Sequence, residues 1–258
     1  MSLNPKDFET INVHVDGQIC HIKFNRAEEN NSINLKMIEE FDVITSYCSE
    51  VKHGISILVL SGNSDVFSLG GDFVSTANDH GIPDPSLLFD SWYRMATGSF
   101  ISICLVEGRV NAGGLGFIAA SDIVLAGPRA TFSLSEMIFG LFPACVLPFL
   151  IRRIGYQKAN YMTLMTNTIG AEKAKDWHLV DEFSDQIDDV LRLHLIRLKR
   201  LDKRTIKSYK HYMNETQSFY LKQAKNTAVN ANRSMFSDET IKSNIKRYVD
   251  DLKFPWEA

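Results

Sequence analysis

The sequence predicts an α/β chain with a mostly parallel sheet, followed by an all-helical C-terminal part. Three observations carry that reading. Apolar runs of strand type, at residues 55–60 and 101–106, alternate with segments of helical spacing. Glycine turns follow both runs, at Leu69-Gly70-Gly71-Asp72 and at Asn111-Ala112-Gly113-Gly114, as expected where strands hand over to helices. Beyond about Leu147 the strand signals fade and helical stripes take their place.

Taken in order, Ile11, Val13 and Val15 alternate up to Asp16-Gly17, and alternation resumes from Ile19 to Phe24, which predicts a hairpin with a primed-type turn. Asn34 is placed to cap a helix whose apolar face is Leu35, Ile38, Phe41, Ile44 and Cys48. The run at 55–60 is almost unbroken by polar residues, so it predicts a strand buried on both faces. Residues 101–106 repeat that pattern, 114–121 predict a helix and 122–126 another strand, an order that requires crossover connections. Ile187, Leu191, Leu195 and Leu198 form a helical stripe, and 216–252 predict further helix. No internal repeat, low-complexity linker or sharp boundary interrupts the chain.

At 258 residues the chain has the size of one large domain, and 45% hydrophobic against 23% charged residues supply an ordinary core. A net charge of −3 gives no global pull toward nucleic acid or anionic membrane. Cys20, Cys48, Cys104 and Cys145 are scattered without metal-ligand spacing, so buried free thiols and no metal are expected. Residues 138–151 are mostly apolar but too short to span a bilayer, and they contain Pro143 and Pro148. With no basic-then-apolar leader pattern at the N-terminus, a cytoplasmic location is expected.

The residues that carry chemistry are the two glycine turns and one carboxylate. Glycine lets backbone N–H groups approach a ligand closely, and a helix start adds the positive end of its dipole. Glu136 stands among Phe132, Leu134, Met137, Ile138 and Phe139, where burial raises a carboxylate pKa toward neutrality. Together these are the parts needed to hold a thioester enolate and move its proton. Plainer readings exist: ordinary tight turns, and a Glu136 that merely opens a short helix capped by Ser133 or Ser135. Asn111, just before the second turn, offers a hydrogen bond without charge or simply forms the turn.

Those segments, in that order and spacing, resemble the enoyl-CoA hydratase/isomerase (crotonase) superfamily over nearly the whole chain. The resemblance implies a spiral of ββα units over residues 1–198 and a helical trimerisation region over 199–258. It implies that Gly71 and Gly113 supply the oxyanion N–H groups, and that Glu136 is one of two carboxylates used by hydratases. The other falls on Gly116, which has no side chain. One carboxylate must then act twice, recruit a neutral partner such as Asn111, or run a different reaction. A pocket without the second anion also suits a substrate that carries its own carboxylate.

Residues 141–148, 230–238 and 254–258 further resemble the hydratase-like enzymes of bacterial polyketide gene clusters that install β-methyl branches. That branch implies dehydration of a 3-hydroxy-3-methylglutaryl thioester on an acyl carrier protein to the 3-methylglutaconyl form, in antibiotic biosynthesis. No separate cofactor is implied, since the acyl group rides on the phosphopantetheine of the carrier or of CoA. The resemblance places Arg26 at a phosphate or adenine contact, and Phe236 and Tyr248 over a neighbouring subunit's thioester arm. His80, Trp92, Tyr93 and Arg94 fall in a variable segment that shapes the acyl pocket, with Arg94 available to the distal carboxylate. A homotrimer or hexamer is expected. Arg152, Arg153 and the basic run Lys199, Arg200, Lys203, Arg204, Lys207 and Lys210 form a candidate docking face for an acidic carrier, or a solvated helix face. A decarboxylase, a double-bond isomerase and a non-enzymatic RNA-binding or scaffold relative remain as alternatives.

Overall fold

In the computed structural model, residues 8–74 and 84–257 are described. Strands β1 (Ile11–Asp16) and β2 (Ile19–Phe24) form the expected antiparallel hairpin. The parallel strands β3 (Ile57–Ser61), β5 (Ile101–Val106), β7 (Ile123–Ala126) and β10 (Glu182–Phe183) extend it in the order β1-β2-β3-β5-β7-β10. Helices α1 (Leu35–Ser49), α2 (Pro85–Thr97), α3 (Gly114–Ala120), α4 (Leu147–Ile154), α5 (Tyr156–Met165) and α6 (Ala171–Asp176) connect and cover the strands. The C-terminal part is helical: α7 (Ile187–Leu198), α8 (Lys203–Met213), α9 (Phe219–Phe236) and α10 (Glu239–Asp251).

The apolar runs are explained by burial on both faces of this sheet. Leu58, Leu60 and Cys104 join the main core with α1 and α2, whereas Ile57, Val59, Ile103 and Leu125 pack against Ile187 and Leu191 of α7. Asn34 caps α1 as its position predicts, its side chain accepting from the Met37 N–H at 2.9 Å. Over 216–252, where further helix is expected, the chain forms helix with a break between α9 and α10. There Asp238 caps the new helix by accepting from the Thr240 and Ile241 N–H groups. A π-helical turn over Asn214–Ser218 separates α8 from α9.

A second sheet has no counterpart in the sequence reading. It consists of β4 (Val66–Ser68), β6 (Arg109–Asn111), β8 (Thr131–Ser133) and β9 (Ile169–Gly170), with β4, β6 and β8 parallel. Three residues are too few to show a two-residue period. Each pass of the chain gives one strand to each sheet, β3 then β4, β5 then β6, β7 then β8, and this is the spiral that the resemblance implies.

Two of the lysines assigned to a docking face are interior instead. The Lys210 ammonium is 4% exposed and donates to the carbonyls of Met95 (2.7 Å) and Phe100 (2.9 Å) and to Asp122 (2.7 Å). Burial lowers its pKa, with Asp122 opposing. Lys203 donates to the carbonyls of Cys48, at 2.6 Å, and of Ile55. Arg152 and Arg153 are likewise used internally: they donate to the carbonyls of Ala119, Ala120 and Ser121 at the C-terminal end of α3, and Arg153 also pairs with Asp181. Cations complete that helix end and its dipole. Lys199, Arg200, Arg204 and Lys207 stay exposed.

Removing the Lys210 ammonium would leave Asp122 with its Ser102 donors but without this ion pair, and would take one donor from each of the Met95 and Phe100 carbonyls. Lys210→Met is expected to cost about 3 kcal/mol of stability, read as a lower urea midpoint at unchanged slope.

Residues of the C-terminal helices pack on their own chain. Leu221, Ala228 and Val229 of α9 belong to the main core, and Ile241 and Ile245 of α10 join Phe139, Leu141 and Met235 in a third cluster. Among the described residues no helix is long and apolar enough to cross a membrane.

Candidate active site

The small sheet sets up the site. Because β4 and β6 are parallel neighbours, their C-terminal ends lie side by side and bring the two glycine turns into contact. Gly70 is left-handed (φ +89°), and a Cβ placed on it would stand 2.8 Å from the Gly113 nitrogen and 2.7 Å from the Ala112 Cβ. A Cβ on Gly113 would stand 3.7 Å from the Gly71 nitrogen, so the two expected oxyanion donors are adjacent. Ile33 fixes the first turn: its N–H donates to the Gly70 carbonyl at 2.7 Å and its carbonyl accepts from Asp72 at 3.2 Å. In such a parallel bridge the Gly71 N–H points to the side away from Ile33. Gly113 stands immediately before α3, where the first N–H groups of a helix have no intrahelical partner.

Arg26 braces the same turn. Its guanidinium donates to Asp72 at 3.0 Å, to the Ser32 carbonyl at 3.1 Å and to the Ser32 hydroxyl at 3.4 Å. A contact to phosphate or adenine was expected of it, but these partners make Arg26 a strut behind the first glycine turn.

Glu136 follows β8 and opens a short 3₁₀ turn, Glu136–Phe139. Since β8 pairs with β6, this carboxylate arrives at the same end of the small sheet as Gly113. It is 9% exposed, and its Oε2 has no hydrogen-bond partner among the described residues. Burial pushes its pKa up to about 7, against the opposing pull of backbone N–H groups at Glu136 and Ser135. Asn111 spans the gap between the second glycine turn and this segment. Its amide donates to the Ser135 hydroxyl at 2.8 Å and accepts from the Ser133 hydroxyl at 2.9 Å. Both ends of its side chain are thereby engaged, so Asn111 positions the Glu136 segment, whereas a direct role on the substrate was expected.

The aromatic wall beside Glu136 was missed at the sequence level. Phe139 meets Phe73 at 5.3 Å and Tyr248 at 5.1 Å, both edge to face, and Phe236 and Phe254 pack against the same cluster. Within one chain, Phe236 and Tyr248 therefore cover the carboxylate's own segment. Apolar spacing at 236, 248 and 254 carries no sign that those residues meet position 139.

Position 116 shows why the second carboxylate is missing. A Cβ on Gly116 would stand 2.5 Å from Cε2 of Trp92, with Cζ2 and Cη2 closer still. Trp92 is 1% exposed and held edge to face by Phe117 and Phe149. Indole occupies the room that any side chain at 116 would need. Arg94, two residues on, points its charge elsewhere: it pairs with Asp42 and donates to Thr45 (3.2 Å) and Ser91 (3.1 Å), tying α2 to α1. That corrects its expected service to a distal carboxylate. His80 lies outside the described residues.

Comparison with known proteins agrees with this fold. A model of the family described as Enoyl-CoA hydratase/isomerase matches residues 14–258. The chain is 45% identical over 255 residues to Bacillaene synthase dehydratase PksH of Bacillus subtilis, covering 97% of each. A crystal structure of PksH from Bacillus subtilis superposes with a TM-score of 0.92 at 44% identity, over 96% of this chain and 100% of that one. Trans-2-decenoyl-[acyl-carrier-protein] isomerase of Streptococcus mutans is 22% identical over 254 residues, 95% of this chain and 96% of its own length.

Proposed function

The chain belongs to the enoyl-CoA hydratase/isomerase family and is an enzyme of the hydratase/dehydratase type, and on that premise we propose that it dehydrates a 3-hydroxy-3-methylglutaryl thioester to the 3-methylglutaconyl thioester in polyketide biosynthesis. The observation that carries this reading is a single buried carboxylate beside the paired glycine turns, with the place of a second one filled by Trp92. Glu136 takes a proton from C2, and the enolate oxygen accepts hydrogen bonds from the Gly71 and Gly113 N–H groups. The C3–O bond then breaks as the enolate collapses, and the hydroxyl leaves as water with the proton held by Glu136. The carboxylate is regenerated and no further group is consumed. A pKa near 7 suits a residue that must both accept and return that proton near neutral pH. A pocket lacking the second anion spares the substrate's own carboxylate a repulsion that low dielectric would magnify.

Mass spectrometry tests the reaction class. Incubation with the 3-hydroxy-3-methylglutaryl carrier thioester is expected to yield product lighter by one water. Release of carbon dioxide from the 3-methylglutaconyl form would place the enzyme among decarboxylases, and an unchanged mass with a moved double bond among isomerases.

The same proposal assigns the acyl group to an acyl carrier protein. Two findings support it: the carrier named for the Streptococcus mutans relative, and the basic groups that remain outside the core, Lys199, Arg200, Arg204 and Lys207. Charge complementarity acts mainly on association rate and weakens with salt. Carrier-bound substrate is expected to be preferred over the CoA form, by a margin that narrows at high ionic strength. Equal efficiency at every salt concentration would remove the carrier while leaving the chemistry. Assembly as a trimer or a dimer of trimers belongs to the same reading, supported by the exposed apolar side chains Tyr156, Tyr161, Leu164 and Met165 on α5.

A further inference from the structure

We infer that the Trp92 indole N–H is the neutral partner of Glu136, donating a hydrogen bond to the substrate's departing 3-hydroxyl oxygen. The inference rests on the dehydratase reading above. Two observations on separate residues lead to it. Trp92 is 1% exposed, and its Nε1 has no acceptor among the described residues. A buried donor without an acceptor costs stability, so its retention calls for an acceptor that arrives with the ligand. The second observation is location. The benzo edge of the indole fills the Cβ position of Gly116, with Cζ2 and Cη2 nearest and Cε2, the atom that bears Nε1, at 2.5 Å, at the start of α3 and three residues beyond Gly113. Glycine at 116 and tryptophan at 92 are a matched pair: no side chain fits at 116 while the indole is there.

The exchange of carboxylate for indole reverses the hydrogen-bond polarity. A carboxylate accepts from a water molecule and carries charge; an indole only donates and is neutral. A donor facing C3 serves a hydroxyl that must leave. Negative charge gathers on that oxygen as C3–O breaks, and the N–H stabilises it without repelling a distal carboxylate. The proton that completes the departing water is the one Glu136 removed from C2; Trp92 keeps its own throughout.

Two measurements test this. In Trp92→Phe, which keeps an aromatic ring but no N–H, dehydration of 3-hydroxy-3-methylglutaryl pantetheine is expected to fall about 10- to 100-fold. Exchange of the C2 hydrogen for deuterium in 3-methylglutaryl pantetheine, which lacks the hydroxyl, is expected to fall by less than about threefold, because it needs only Glu136 and the paired glycine turns. Equal losses in the two reactions would reveal a packing role and overturn the inference, as would no loss in either. The second measurement is the indole N–H resonance of Trp92 in ¹⁵N-labelled Glu136→Gln protein, assigned by its disappearance from the Trp92→Phe spectrum. It is expected to move downfield with the hydroxylated ligand and not with 3-methylglutaryl pantetheine. One resonance position for both ligands overturns the inference even if the enzyme is a dehydratase. A moved resonance in a protein that releases no water keeps the contact and removes the dehydratase reading.

Discussion

Glu136→Gln is expected to lower kcat for dehydration by about 10²- to 10⁴-fold without disturbing the fold. Gln is close to isosteric with Glu, and among the described residues Oε2 makes no hydrogen bond that the exchange would break. What disappears is the carboxylate proposed to take the C2 proton. A folded Gln variant with full activity would remove Glu136 from the chemistry. The same residue gives a pH signature. For proton abstraction Glu136 must begin as the carboxylate, so wild-type kcat/KM should rise with pH through about 7, and the residual rate of the variant should lack that inflection.

Stability carries the opposite sign. The folded pKa is about 7 against 4.5 for the free side chain, so between those values the native state holds a proton that the unfolded state has lost. Stability therefore falls as pH rises from about 4.5 to 7, by a total of about 3 kcal/mol at most. Glu136→Gln cannot ionise and should be the more stable protein at pH 8, with the advantage vanishing near pH 4. Thermal unfolding of both proteins across that range checks the sign, and a parallel pair of curves would refute the raised pKa.

The balance of charge and burial explains which parts of this site are legible in the sequence. The long strands show themselves because burial on both faces leaves almost no polar residue in them, as at Ile57–Ser61. Glu136 shows itself because its apolar neighbours are local: Phe132, Leu134 and Phe139 lie within four residues and are buried with it. The small sheet leaves no such trace, since strands of three residues contain too little pattern, yet β4, β6 and β8 are what place Gly71, Gly113 and Glu136 at one end. Side-chain partners distant in sequence are equally invisible. The basic residues at 203 and 210 look like parts of an exposed run, and only the tertiary structure supplies the carbonyls of Cys48 and Met95 that draw them inside. Gly116 is legible as an absence, but nothing in the sequence couples it to an indole 24 positions earlier. That pairing is a property of α2 packing on α3.

The paired glycine turns lead to the other large effect. Gly70→Ala is expected to reduce kcat/KM by about 10²- to 10³-fold, the loss that follows when an oxyanion donor is displaced. The added methyl would fall 2.8 Å from the Gly113 nitrogen and 2.7 Å from the Ala112 Cβ, and those atoms are backbone or tied to it, so the two turns must separate. The backbone adds its own penalty, since φ +89° is costly for any residue with a Cβ. Gly71→Ala is the informative comparison. Apart from its chain neighbours, no atom of the described residues lies within 4 Å of a Cβ at 71, and its φ is not positive, so alanine there keeps the N–H in place and is expected to lose far less than the neighbouring change. Denaturation midpoints separate catalytic loss from unfolding, and kinetics are compared only for variants that remain folded at the assay temperature. If Gly70→Ala folds and turns over substrate as fast as Gly71→Ala, contact between the turns is irrelevant to catalysis and the oxyanion must be held elsewhere. If Gly70→Ala loses activity while Glu136 still titrates near 7, the two halves of the site are shown to be separable: the turns hold the enolate, and the carboxylate moves its proton.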